Sequence, residues 1–130
     1  MNVTLPFART PDECDRLFAA CVNSGDLDGL IALYEPSARY VQRNGTVLCG
    51  HEEIRRVLAS VTGAPATLDI HIVRMVEADG IAVVYNDWSL LMTTDGTTVQ
   101  RAGKAIEVVR RNADGHWLFA IDEPFGRDAK

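Results

Sequence analysis

The run Asn23-Ser-Gly-Asp-Leu-Asp-Gly-Leu-Ile-Ala-Leu-Tyr34 constrains the fold of this chain more than any other segment, because it has to end one helix and start another within four residues. Upstream, Thr10-Pro11-Asp12-Glu13 has the form of a capping box with proline at the first helical position, where a missing N–H costs nothing. Cys14, Leu17, Phe18, Cys21 and Val22 then recur at the spacing of one buried helix face. Gly25 ends that helix, and Asp26 caps a short second one whose apolar positions are Leu27, Leu30, Ile31 and Tyr34. Pro36 stops it. Two helices therefore meet at a sharp corner.

A short strand over Ala38 to Gln42 and a turn at Asn44-Gly45 lead to a third helix opening at Gly50, with Glu52 and Glu53 in its first turn and Ile54, Val57, Leu58 and Val61 as its buried stripe. From Leu68 onward the pattern changes. Segments 68–77, 81–93, 97–110 and 116–125 are rich in Val, Ile, Thr, Tyr and Trp, and Asp-Gly pairs separate them. They read as antiparallel hairpins. Strands of this length twist and coil, so a curled sheet can wrap the helices that precede it and leave a cavity between the two layers. The expected class is α+β, one domain over residues 1–130.

At 130 residues and 47% hydrophobic content, the chain suits one core. Its net charge of −5 and the isolated doublets Arg55-Arg56 and Arg110-Arg111 argue against a nucleic-acid or membrane partner, each of which needs a concentrated basic face. No stretch reaches the length of a membrane span, and MNVTLPFARTPDEC lacks the pattern of a secretory leader. Cys14 and Cys21 lie about 10 Å apart along one helix, beyond disulfide reach, and with Cys49 they suit a reducing, cytoplasmic setting. His51-Glu52-Glu53 lacks a second histidine, and no metal-ligand spacing, phosphate loop or Gly-x-Ser-x-Gly elbow is present. No metal or cofactor is expected.

Phe18 to Gly50, FAACVNSGDLDGLIALYEPSARYVQRNGTVLCG, resembles the opening of the ketosteroid isomerase branch of the nuclear transport factor 2-like (SnoaL-like) superfamily. Weaker similarity continues through Gly103-Lys-Ala-Ile-Glu-Val and Asp114-Gly-His-Trp117 to Phe125-Gly126. The resemblance implies a cystatin-like fold, a curved antiparallel sheet wrapped around N-terminal helices as a cone-shaped α+β barrel with a pocket at its open end. That superfamily holds isomerases, cyclases, dehydratases and plain binding proteins, so the fold does not name a reaction.

Carried over residue by residue, the resemblance implies a loss of steroid chemistry. Phe18 stands where the isomerases carry a tyrosine donor, and Gln42 where they carry an aspartate base; neither replaces the lost group. Glu107 falls where the isomerases keep a buried, protonated aspartate, a carboxylic acid held neutral by an apolar site. It is the leading candidate for a general acid or donor, provided that it faces the cavity and is not a surface carboxylate paired with Arg101, Lys104 or Arg111. Strand alternation groups Val84, Asn86 and Trp88 on one face, and the resemblance makes that face the cavity wall. Trp88 reads equally as plain core. Tyr40 shares a side with Gln42 and offers a hydroxyl.

His71 lies where both strand faces are mixed, so its facing is open; histidines move protons in some cyclases and dehydratases of the superfamily, which makes it a second acid/base candidate. Asp122, Glu123 and Phe125 compete for the cavity at the chain's end, while Trp117 suits the core at the start of the last strand. Two functions remain. One is a proton-transferring isomerase, cyclase or dehydratase on a small apolar ketone-bearing molecule; the other is a binding or accessory domain that kept the cavity and lost the base. Under either, the outer sheet face carrying Ile81, Val83 and Tyr85 calls for a cover, so a homodimer through the sheet is expected.

Overall fold

The computed structural model describes residues 7–129, so the first six residues of the N-terminal stretch discussed above lie outside the described residues. Helices α1 (Pro11–Ser24), α2 (Leu27–Ile31) and α3 (Gly50–Thr62) combine with six strands, β1 (Tyr34–Val41), β2 (Val47–Cys49), β3 (Ala66–Ala78), β4 (Ile81–Thr94), β5 (Thr97–Arg111) and β6 (Trp117–Glu123). The strand order is β2-β1-β6-β5-β4-β3. The class is α+β as expected, but the sheet is mixed. β1 runs parallel to β6, with Tyr34 opposite Phe119 and Tyr40 opposite Asp122, while the other pairs are antiparallel. A meander ending on β6 leaves that strand's outer edge open, and β1 fills it from the helical half of the chain.

Local chemistry accounts for the elements. Gly25 takes φ 71° and its N–H reaches the carbonyls of Cys21 and Val22, while the Asp26 side chain accepts from Gly29 N–H at 2.9 Å. Left-handed backbone of this kind favours glycine. The Asn23 side chain then brackets Leu68, accepting from its N–H at 2.6 Å and donating to its carbonyl at 3.3 Å, so the end of α1 is tied to β3. Asp79-Gly80 and Asp95-Gly96 have positive φ at both residues, which makes two-residue hairpins whose twist matches the strands they join.

Three local expectations are corrected. Thr10 makes no side-chain cap; its hydroxyl donates to Glu13 Oε1 instead, so the reciprocal capping box is absent. α2 ends at Ile31, and Tyr34 belongs to β1. β1 also starts before Pro36, which is tolerated because the register with β6 shifts between Tyr34 and Arg39 and the ladder there needs no N–H from it.

The core lies between the helices and the inner sheet face, with Leu30, Leu33, Tyr34, Ile54, Val84, Val109 and Phe119 fully enclosed. Trp117 is buried at the start of β6, and Cys14 and Cys21 are buried free thiols. Arg55, Arg56 and Arg110 are exposed and pair with Asp28, Glu52 and Glu35. Among the described residues no helix is long and apolar enough to cross a membrane, and no group of side chains has the arrangement of a metal site.

Candidate active site

Strand register builds the site. Val84 on β4 pairs with Glu107 on β5, Glu107 with Asp122 on β6, and Asp122 with Tyr40 on β1, so one inward row crosses four strands. Asn86 and Trp88 follow Val84 at alternate positions on the same face. Helix α1 lies against this row and contributes Asp15 and Phe18. The resulting cavity is open at one end and has a volume of about 90 Å³. Its apolar wall includes Phe18, Leu58, Leu68, Ile70, Trp88 and Leu90, and its polar groups are Tyr40, Asn86, Glu107 and Asp122.

Three carboxyls are buried together: Asp15 is 2% exposed, Asp122 3% and Glu107 6%. No lysine or arginine stands among the cavity-lining residues. Asn86 Nδ2 donates to Asp15 Oδ2 at 3.1 Å, and Tyr34 Oη donates to Asp122 Oδ2 at 2.5 Å. Asp15 and Glu107 are within hydrogen-bonding range of each other. Burial without a cation makes ionisation costly. Glu107 is therefore held well above the ordinary carboxylate range, by burial first and then by the Asp15 charge beside it. Burial also pushes Asp15 up, while its hydrogen bonds with Glu107 and Asn86 pull it back. Asp122 is pushed up to about 7 by burial, against the pull of the Tyr34 hydrogen bond. The Tyr34 and Tyr40 hydroxyls are raised by burial and stay protonated donors.

The structure thus brings Glu107, Phe18, Tyr40, Asn86, Trp88 and Asp122 to one cavity. The surface alternative for Glu107 is set aside, since β5 turns it inward between Ala105 and Val109. The Trp88 ring is both wall and anchor: its indole N–H donates to the Pro124 carbonyl at 2.7 Å, and Phe125 packs edge-on at 5.4 Å.

Four expected positions fall elsewhere. His71 is exposed on the outer face, opposite Asp87 in register; strand parity points it away from every group in the cavity. Gln42 follows the end of β1, where its N–H and carbonyl close the turn to Thr46 and Gly45, so its side chain borders a surface depression instead of continuing the Tyr40 side. Phe125 lies past the end of β6 and backs Trp88 beneath the Arg43 guanidinium, outside the cavity. Val84 is 1% exposed and packs in the core, not on the cavity wall.

Sequence reasoning missed Asp15 and Tyr34. Asp15, Phe18, Ala19 and Val22 repeat at i, i+3, i+4 and i+7, a spacing that places the carboxyl on the buried face beside the apolar stripe. Tyr34 was assigned to a helix face, and nothing local announces that its hydroxyl meets a residue 88 positions away.

No curated protein matches the chain by sequence. Solved structures share its fold. A conserved protein from Planctomyces limnophilus has a TM-score of 0.80 at 16% identity, covering 88% of this chain and 91% of that one. An NTF2-like protein with a cystatin-like fold from Novosphingobium aromaticivorans has a TM-score of 0.75 at 14% identity, over 91% and 80% of the two chains. A ketosteroid isomerase-like protein from Erwinia carotovora atroseptica has a TM-score of 0.74 at 19% identity, over 86% and 89%. The SnoaL-like domain family profile matches residues 15–119, a span that runs from within the first half of α1 into β6. The chain belongs to the SnoaL-like domain family, and its fold is that of the NTF2-like and ketosteroid isomerase-like solved structures.

Proposed function

We propose that this protein is an enzyme of the isomerase, cyclase or dehydratase kind that moves protons on a compact, apolar, carbonyl-bearing molecule. The observation that carries this reading is the pair formed by Glu107, which keeps its proton, and Asp122, which titrates near neutrality, opposite each other in register on one cavity wall. Groups with values so perturbed in a cleft are candidates for acid/base work. The Asp122 carboxylate takes a proton from the carbon beside the carbonyl, and the Glu107 hydroxyl hydrogen-bonds the carbonyl oxygen as charge develops on it. Asp122 returns the proton to a second carbon, so an isomerisation consumes nothing. Phe18, Leu68, Ile70 and Trp88 exclude water from the reacting atoms. The space of about 90 Å³ is smaller than the roughly 150 Å³ void that takes a benzene ring, which favours a short-chain carbonyl compound, or a small ring that reaches out through the mouth, over a steroid.

The test is turnover and binding measured side by side on cyclic and short-chain enones, with Glu107→Gln and Asp122→Asn beside the wild type. Loss of about 10²-fold or more in kcat with binding kept supports the reading. The second reading, a binding domain without chemistry, is favoured by Phe18 and Gln42, which supply neither the donor nor the base of the isomerases. Saturable binding with no wild-type turnover selects it. The assembly we propose is a homodimer through the outer sheet face, where Val76, Val83, Val108 and Ile121 form an apolar row across β3 to β6.

A further inference from the structure

Asp15 is the buried acid that this proton chemistry leaves without a task. It approaches from α1, has no basic partner among the described residues, and accepts a hydrogen bond from Asn86 beside its contact with Glu107. Its second oxygen, Oδ1, Glu107 Oε1 and Asn86 Oδ1 are all shut off from solvent, and among the described residues none of the three meets a donor. Two adjacent carboxyls cannot both be ionised at that depth, and a proton held by the pair is what lets one of them donate to the other. Asn86 breaks the symmetry. Its amide N–H₂ stabilises negative charge on Asp15, while Glu107 receives no such donor, so Asp15 is the accepting side and Glu107 the donating side.

We propose that Asp15 is a positioning residue: it shares one proton with Glu107, and Asn86, by anchoring Asp15, keeps that proton assigned to Glu107 and ready for the cavity. This rests on the reading of Glu107 as the cavity acid, but its test needs no ligand. The other titratable groups that face the pair are Cys14 on α1, Tyr34 and Tyr40 on β1, and Asp122 on β6. Cys14 and the two tyrosines stay protonated through neutral pH, because burial raises all three. Only Asp122 titrates beside the pair. From β3, the cavity receives Leu68 and Ile70, which bring no charge.

An arrangement of this kind makes a carboxylic acid available where water is excluded without requiring it to be the strongest donor. When a ligand oxygen arrives, the Glu107 proton turns from Asp15 to the ligand, and the Asp15 charge left behind keeps Glu107 from ionising. Replacing Asp15 by asparagine keeps the shape and removes the charge. Glu107 then has less reason to hold its proton, and its titration moves down.

Infrared spectra of the protein across pH 4–10 read the protonated carboxyl band directly. Wild type should keep a band above neutral pH, beyond the Asp122 component that titrates near 7 and that Asp122→Asn removes. Glu107→Gln should abolish the persistent band, and folded Asp15→Asn should move its titration down by about one pH unit or more. A band that survives Glu107→Gln places the proton on Asp15 and overturns the proposal, as does a Glu107 titration that Asp15→Asn leaves unmoved. The Glu107→Gln arm decides the matter even where Asp15→Asn does not fold. A shared proton in a protein with no turnover on any carbonyl compound would refute the enzymatic reading alone.

Discussion

Asp122→Asn gives the sharpest energetic test of the buried acid cluster, because the substitution keeps an acceptor for the Tyr34 hydroxyl and removes only the charge. In the folded chain Asp122 rises from an ordinary value of 3.8 to about 7. Between those values the native state holds a proton that the unfolded chain has released. The sign follows from linkage: stability from this group is complete below the ordinary value and is lost as pH rises through about 7. The interval spans about three pH units at about 1.4 kcal/mol each, so wild type should lose up to about 4 kcal/mol between pH 4 and pH 8 from this carboxyl. Asp15 and Glu107 titrate in the same cluster, and Glu107 extends the loss above neutral pH, so the quantity to compare is the difference between wild type and variant. Urea and thermal unfolding at pH 5, 6, 7 and 8 measure it. The two proteins should be similarly stable only near pH 4; Asp122→Asn should gain on the wild type by about 1.4 kcal/mol per pH unit up to about pH 7 and be the more stable at pH 8 by a few kcal/mol, on the order of 10 °C in Tm for a domain of this size. Parallel pH dependences for the two proteins, or a wild type as stable at pH 8 as at pH 5, would refute the reasoning, because either means that Asp122 is ionised without cost.

Gly103→Ala should destabilise the cavity wall from outside: a Cβ there falls 2.6 Å from Trp88 Cζ2 and 2.8 Å from the Pro124 carbonyl oxygen. The expected cost is about 1–3 kcal/mol, with a change in tryptophan fluorescence as the Trp88 to Pro124 hydrogen bond is displaced; an unchanged spectrum and melting curve would argue against that contact. Ile121→Glu puts a charge into the outer apolar row, where Ile121 is 40% exposed, and should convert a sedimenting dimer to a monomer with its circular dichroism intact. A wild type that sediments as a monomer at tens of micromolar would remove the dimer.

Much of the fold was legible because its signals are local. Pro11, Gly25 and the Asp26 cap delimit two helices through backbone geometry that any surrounding structure has to respect, and Asp79-Gly80 and Asp95-Gly96 specify their hairpins in the same way. Alternation along β4 grouped Asn86 and Trp88 on one face, which the family resemblance named as the cavity wall, and along β5 it grouped Glu107 with Ala105 and Val109; the structure turns both sets inward. In strands buried on one face, side-chain parity is enforced over the whole length, so such readings travel well from sequence to structure.

Parity failed where the regular backbone stops. Gln42 and Phe125 lie one and two residues beyond their strands, and the chain turns before either side chain reaches the cavity. On β3 both faces are mixed and much of the strand is exposed, so composition gave His71 no direction; pairing with β4 decided it. The parallel partnership of β1 with β6, the contact of Tyr34 with Asp122, and the meeting of Asp15 with Glu107 join segments about 80 or more residues apart. Sequence by itself determined the three helices, the four long strands, their order and which side chains share a face of β4 and of β5, because these depend on neighbours along the chain, whereas the short β2 (Val47–Cys49) exists only through its pairing with β1. Only the tertiary structure decided which acids share one desolvated space, and the protonation of that site follows from their shared burial.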